Sequence, residues 1–204
     1  MIKVLGRLTS SNVQKVVWML DLLGQAYEQE NRGGAFGGTK SEDYLALNPN
    51  ATVPTVITDE GAIWESNTIL RYLANRHGAA HLYPASPMAR AMVDQWLDWQ
   101  LGVLAPALRP LYVGLVREQK PLSELGSQRQ AVADLMVLLD RQLARHAHIA
   151  LDHFTLADIA IGPIVHRWYA LELAVPETAN LRRYYEGLSA DPLFAKHVMA
   201  IKMS

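Results

Sequence analysis

Hydrophobic and polar positions divide the chain into two stretches of different periodicity. In the first, the apolar runs are short and punctuated. Ile2, Val4 and Leu5 form a compact apolar segment ended by Gly6, the pattern of a buried strand. Val13, Val16, Val17, Leu20 and Leu23 then recur at the spacing of one helix face, and Gly24 stops that helix. Tyr27 to Glu30 reads as an edge-like strand. A glycine-rich loop (Gly33, Gly34, Gly37, Gly38) and a short helix from Ser41 to Leu47 follow. After the break at Asn48, Pro49 and Asn50, two apolar segments flank Asp59, Glu60 and Gly61, which predicts a β-hairpin. Ser66 then opens a helix whose apolar face carries Ile69, Leu70, Tyr72 and Leu73. The resulting order, β-α-β-α-β-β-α, predicts a small mixed sheet with helices around it, an α/β layout.

Beyond Leu82 the strand signal disappears. Pro84, Ser86 and Pro87 mark a linker, and Met88, Met92, Trp96, Trp99 and Val103 then repeat at helical spacing. This long helix is disturbed by Pro106 and Pro110. Further helices are expected from about Leu125 to Arg145, from Thr155 and from about Asn180. The pattern therefore predicts a first domain over residues 1–80, a linker over 81–88 and an all-helical domain over 89–204.

Composition narrows the function more than the fold. The 204 residues carry a formal net charge of −1 with no long single-sign run. Nucleic acids and membrane surfaces select basic footprints, so neither is an expected partner. Cysteine is absent, which excludes disulfides, thiolate zinc sites and cysteine nucleophiles; any thiol chemistry needs a thiol carried by a small molecule. His146, His148 and His153 cluster, but their spacing matches no ordinary zinc pattern, and no metal is expected. The opening residues lack a signal-peptide layout and no apolar run reaches about 18 residues, so a cytoplasmic location is expected.

Three places in the first domain offer binding chemistry. Ser10, Ser11 and Asn12 lie where the first strand gives way to the first helix, whose unpaired amides and partial positive charge favour anions. Each is also an ordinary helix cap. Val53-Pro54 stands where the third strand begins, a place proline tolerates. Glu65-Ser66 opens the third helix, with donors for a carboxylate beside an acid for an ammonium group, a pair that suits an amino-acid head group.

Taken in order, these elements resemble the thioredoxin-like half of the cytosolic glutathione S-transferases. The matching stretches are Val4 to Leu23, Leu47-Asn48-Pro49 leading to Val53-Pro54-Thr55, and Trp64-Glu65-Ser66-Asn67 leading to Ile69-Leu70-Arg71-Tyr72-Leu73. Phe154-Thr155-Leu156-Ala157-Asp158-Ile159-Ala160 is similar to the family's helical-domain capping segment, and its Thr155 and Asp158 have capping-box spacing. The first motif is of the serine-type, theta- and delta-like kind, and Ser10 to Val16 resembles bacterial members.

The resemblance implies a thioredoxin-like domain followed by an all-α domain, in a homodimer. It also implies a co-substrate, glutathione, activated as a thiolate against a small electrophile. Ser10 would face the sulfur, and Asn12 would either reach the same sulfur or hold Ser10. A cis Val53-Pro54 bond would present Val53 to the cysteinyl backbone, and Glu65 and Ser66 would hold the γ-glutamyl end. Ala51 stands where theta- and delta-like members often carry a histidine for the glycyl carboxylate, a role that would move to Lys40 unless that residue is an ordinary solvated lysine. Arg109, Tyr112, His166, Trp168 and Tyr169 are candidates for the second-substrate pocket, since aromatic and basic groups suit flat or anionic electrophiles. The competing expectation is a non-catalytic ligand- or partner-binding protein that keeps this fold.

Overall fold

A computed structural model describes residues 1–171, 173 and 176–203. The first unit comprises Met1–Tyr83 together with Pro192–Ile201, and the second Pro84–Asp191 with Lys202–Ser204.

The first unit follows the predicted order. Strands β1 (Ile2–Leu5), β2 (Tyr27–Glu30), β3 (Thr55–Thr58) and β4 (Gly61–Trp64) form one sheet in the order β2-β1-β3-β4. β1 runs parallel to β2 and antiparallel to β3, while β3 and β4 make the expected antiparallel hairpin. Helix α1 (Ser11–Leu22) buries Val13 through Leu20 completely, a burial wider than a single apolar stripe. Helix α2 (Glu42–Leu47) is short, with Ser41 at its N-cap. Helix α3 (Ser66–Arg76) buries Ile69, Leu70 and Leu73 of the expected apolar face, while Tyr72 is only half-buried, its hydroxyl donating to Glu60 Oε2 at 3.0 Å. Arg76 at its end pairs with Asp59 at 2.6 Å and Glu60 at 2.7 Å, which ties α3 to the tip of the hairpin.

Gly6 shows why the chain breaks where β1 ends. A Cβ there would lie 2.6 Å from Val13 Cγ2 and 3.1 Å from Val53 Cβ. Only a residue without a side chain lets β1, the start of α1 and the approach to β3 meet this closely.

The second unit is helical, with α4 (Pro87–Trp99), α5 (Ala105–Tyr112), α6 (Gly126–Leu143), α7 (Leu156–Ala170) and α8 (Ala179–Ser189). The disturbance expected from Pro106 and Pro110 takes the form of wide π-type turns at Gln100–Leu104 and Val113–Arg117 on either side of α5. Such turns accommodate a proline that cannot donate to the helix ladder.

Polar side chains hold this unit at two points. Thr155 caps α7 through the expected capping box: its Oγ1 accepts from Ala157 N, and Asp158 Oδ2 accepts from Thr155 N at 2.8 Å. Asp158 is fully buried, and its Oδ1 also accepts from Ile149 N at 3.1 Å and Tyr184 Oη at 3.0 Å. Burial, then the Asp158 carboxyl, pushes the Tyr184 hydroxyl well above its ordinary pKa, so it remains a donor. At the second point Asp140 of α6 caps the start of α8, accepting from Asn180 N at 2.8 Å and Leu181 N at 2.9 Å.

The end of the chain departs from a simple succession of domains. The expected helical region, 89–204, includes Pro192–Ile201, but this stretch groups with the first unit. Helix α9 (Pro192–Phe194) places Phe194 edge-on to Trp18 at 5.1 Å between ring centroids. Lys196 and His197 reach Asp21 at 2.5 and 2.7 Å. Both contacts are with α1, some 175 residues earlier, which helical periodicity cannot register.

Candidate functional site

The sheet register brings three of the predicted site segments to one end of the sheet. Leu5 of β1 pairs with Thr55 of β3, and Thr55 pairs with Trp64 of β4. The chain therefore leaves β1 toward Ser10, enters β3 from Val53-Pro54 and leaves β4 toward Glu65-Ser66 at the same edge. The glycine-rich loop joins them there, because Gly6 N bonds Glu30 O at 2.8 Å and Arg7 N bonds Arg32 O at 3.0 Å.

Ser10 is the N-cap residue of α1, and its carbonyl accepts from Val13 N and Gln14 N. Its side chain makes no capping bond to α1, so the bland explanation, a hydroxyl that serves as a helix cap, does not account for it. Ser10, Ser11 and Asn12 are all half-buried. The Val53-Pro54 bond is cis, with Val53 half-buried and Pro54 buried. Lys40 is exposed in the turn before α2.

A buried hydrogen-bond cluster holds the approach to Val53. Tyr44 Oη donates to Thr52 O and shares a contact of 2.9 Å with Thr55 Oγ1, while Asn48 Nδ2 donates to Thr52 O at 3.0 Å and Thr55 Oγ1 at 3.1 Å. Burial keeps the Tyr44 hydroxyl above its ordinary pKa despite hydrogen bonds from Thr55 and Asn48 that pull the other way. The sequence marked Asn48 only as punctuation; its side chain is in fact a strut. Ala51 in this loop has φ 54°, the left-handed region that non-glycine residues rarely adopt.

The third segment is strained. Glu65 precedes α3 with φ 67° and ψ 113° and is exposed, while Ser66 next to it is buried. The first intrahelical bond of α3 runs from Ile69 N to Glu65 O, so the amides of Ser66, Asn67 and Thr68 have no acceptor within the helix. Lys15, from the second turn of α1, reaches this point with its ammonium 3.4 Å from Ser66 Oγ and 3.3 Å from Asn67 Oδ1. Periodicity gave no signal for it, because a lysine beside valines reads as the polar edge of an amphipathic helix.

A profile of the glutathione S-transferase N-terminal domain matches residues 5–81, and one of the C-terminal domain matches residues 87–187. The chain belongs to the glutathione S-transferase family. It is 37% identical to glutathione S-transferase GstB of Escherichia coli K12, with 98% of each chain covered. It is also similar to glutathione S-transferase 3 of Zea mays, 28% identical over 220 residues, with 99% of this chain and 95% of that one covered. Among solved structures, the theta-class enzyme of Xanthomonas axonopodis pv. citri with glutathione bound superposes with a TM-score of 0.94 at 34% identity, covering 100% of this chain and 99% of that one. The thioredoxin-like first domain and helical second domain of the family are thus those described above, and the protein is a glutathione transferase by class.

The pocket candidates of this transferase do not share one environment. Arg109 is exposed on α5. Tyr112 is buried with the Arg167 guanidinium 4.4 Å above its ring. His166 Nδ1 lies 2.9 Å from Tyr185 Oη, and Tyr185 stacks on Tyr169 at 4.8 Å. Burial, followed by the nearby Arg167 charge, holds the His166 imidazole below its ordinary pKa and therefore neutral at pH 7. Trp168 is 1% exposed, and its packing assigns it to the core rather than to a ligand surface. Of the three clustered histidines, His146 Nδ1 lies 3.1 Å from Asp152 Oδ1 and His148 Nδ1 lies 3.5 Å from Asp158 Oδ1, while His153 is exposed. Among the described residues no group of three or more His, Cys, Asp or Glu could hold a metal ion, and no helix is long and apolar enough to cross a membrane.

Proposed function

We propose that this transferase ionises glutathione at Ser10 and passes the thiolate to a small electrophile. The observation that carries the proposal is the Ser10 hydroxyl, which sits at the positive end of α1 without capping it. A free thiol has a pKa of about 8.5, and lowering it to about 6.5 takes roughly 2.7 kcal/mol. A hydrogen bond to the charged sulfur contributes about 1.5–3 kcal/mol and the helix terminus about 0.3–1 kcal/mol, so the two suffice. The ionised sulfur donates its electron pair to the electrophilic carbon, a carbon–sulfur bond forms, and the leaving group departs with the electrons of the bond it breaks. The thiol proton goes to solvent. Ser10 acts only as a donor.

The rest of the peptide follows the segments gathered at the sheet edge. Val53 pairs with the cysteinyl backbone, Pro54 shapes the turn, and Asn12 supports the sulfur position beside Ser10. Ser66 and the N-terminal amides of α3 take the γ-glutamyl carboxylate, Glu65 takes the ammonium group, and Lys40 takes the glycyl carboxylate. The strain at Glu65 supports its role, because glycine would occupy that backbone conformation more cheaply. Exposed Arg109 and half-buried His166 remain the candidates for contact with the electrophile; Tyr112, 3% exposed, packs in the core as Trp168 does. We read the enzyme as a cytoplasmic homodimer acting in detoxification.

Calorimetric titration with glutathione tests the binding half of this reading, with Ser66→Ala expected to weaken it. An absence of heat at millimolar glutathione would favour a non-catalytic binding protein. For the chemistry, Ser10→Ala should raise the pKa of the bound thiol, followed by its ultraviolet thiolate absorbance. An unchanged titration would move the donor role to Asn12 or Ser11.

A further inference from the structure

Lys15 is 1% exposed, and Ser66 and Asn67, whose side chains it meets, are each 4% exposed. Burying an ammonium group is costly, and an apolar side chain of similar length would fill the same space at lower cost. An ammonium has three donors and no acceptor, so Ser66 Oγ must accept from it. A hydroxyl that accepts in this way keeps its own hydrogen for another group, and a charged donor polarises it into a stronger one. This holds whatever else the remaining ammonium hydrogens bond.

We propose that Lys15 is a positioning residue for glutathione, acting through Ser66. By donating to Ser66 Oγ it aims the Ser66 hydroxyl away from the core as a donor to the γ-glutamyl carboxylate, and by donating to Asn67 Oδ1 it fixes the first turn of α3. The inference rests on the assignment of the α3 terminus to the γ-glutamyl end of glutathione. Lys15 touches neither the peptide nor the reacting sulfur, so its effect falls on the affinity for glutathione rather than on the chemical step.

The test is a double-mutant cycle between Lys15→Met and Ser66→Ala, read by calorimetry with two peptides. One is glutathione and the other an analogue lacking the γ-glutamyl α-carboxylate. Lys15→Met should weaken glutathione roughly tenfold, as expected for a charge-assisted bond lost, and leave the analogue unchanged. In the Ser66→Ala background the same substitution should change glutathione affinity by less than about twofold, because the two residues act as one unit. In turnover, KM for glutathione should rise while kcat holds. An unchanged affinity, an equal loss for both peptides, or a full loss in the Ser66→Ala background overturns the role of Lys15. Failure of the wild-type protein to bind glutathione refutes the site assignment itself, a separate result. The wild-type protein supplies a readout independent of how the variants fold. The ammonium NMR signal of Lys15 should shift on addition of glutathione and stay in place with the analogue; equal shifts, or none, overturn the proposal.

Discussion

Replacing Asp158 by alanine removes one acceptor group from four hydrogen-bond donors at once, together with the carboxylate that faces His148. Its two oxygens take Ile149 N at 3.1 Å, Thr155 N at 2.8 Å, Thr155 Oγ1 at 3.2 Å and Tyr184 Oη at 3.0 Å. The Thr155 hydroxyl can turn to another acceptor, but the two backbone amides and the buried phenol cannot. Each orphaned buried donor costs about 1–3 kcal/mol. Three of them give a central value of about 6 kcal/mol, against the roughly 5–15 kcal/mol that holds a typical domain folded. Asp158→Asn keeps one carbonyl oxygen for Ile149 and Tyr184 but turns an amino group toward the Thr155 amide, so it should lose about 1–3 kcal/mol. Thr155→Ala, which removes only the cap, should lose about 1 kcal/mol. Urea unfolding followed by far-ultraviolet circular dichroism ranks the three, with the midpoint falling from wild type through Thr155→Ala and Asp158→Asn to Asp158→Ala. A loss below about 1 kcal/mol for Asp158→Ala would mean that these donors find water instead, and the reasoning from buried unsatisfied groups would fail.

Glu65→Gly should relieve the strained backbone and raise the unfolding midpoint while weakening glutathione binding; a variant that gains nothing in stability would show the conformation to be unstrained. His148 has its pKa raised by the Asp158 carboxyl against the opposing effect of burial. It therefore stabilises the fold fully below the unfolded imidazole value near 6.5 and loses that contribution as pH rises through its higher folded value. Urea titrations across this window should show a falling stability that His148→Gln flattens; an unaltered slope would refute the linkage. Burial alone would raise the pKa of Asp21, but the hydrogen bonds from Lys196 and His197, with their charges, lower it on balance. Its contribution is present above the ordinary carboxyl value and vanishes as pH falls through the folded one. Asp21→Asn should accordingly speed amide exchange in residues 192–201 at neutral pH, and protection equal to wild type would show that Trp18 and Phe194 alone hold the segment.

The legible parts of this protein are those written in short-range order. The seven strands and helices expected before Leu82 appear in the sequence as runs of period two or 3.6 separated by glycine and proline, and each forms near its expected bounds. Thr155 and Asp158 lie three residues apart, so their capping box could be read directly and is present. Ser10, Val53-Pro54 and Glu65-Ser66 stand out in the sequence as candidates because each lies at the boundary of an element, where backbone groups go unpaired.

What the sequence by itself determined was which segments become strands and helices and which residue types stand at their ends, because propensity, periodicity and capping act over a few residues. What only the tertiary structure decided was which distant side chains meet. Lys15 beneath Ser66, Asn48 and Tyr44 bracing the approach to Val53, and Asp21 held by Lys196 and His197 are all pairings made by the packing of separate elements. No periodicity encodes them, since a buried lysine and a solvated one look alike until the element that covers it is in place.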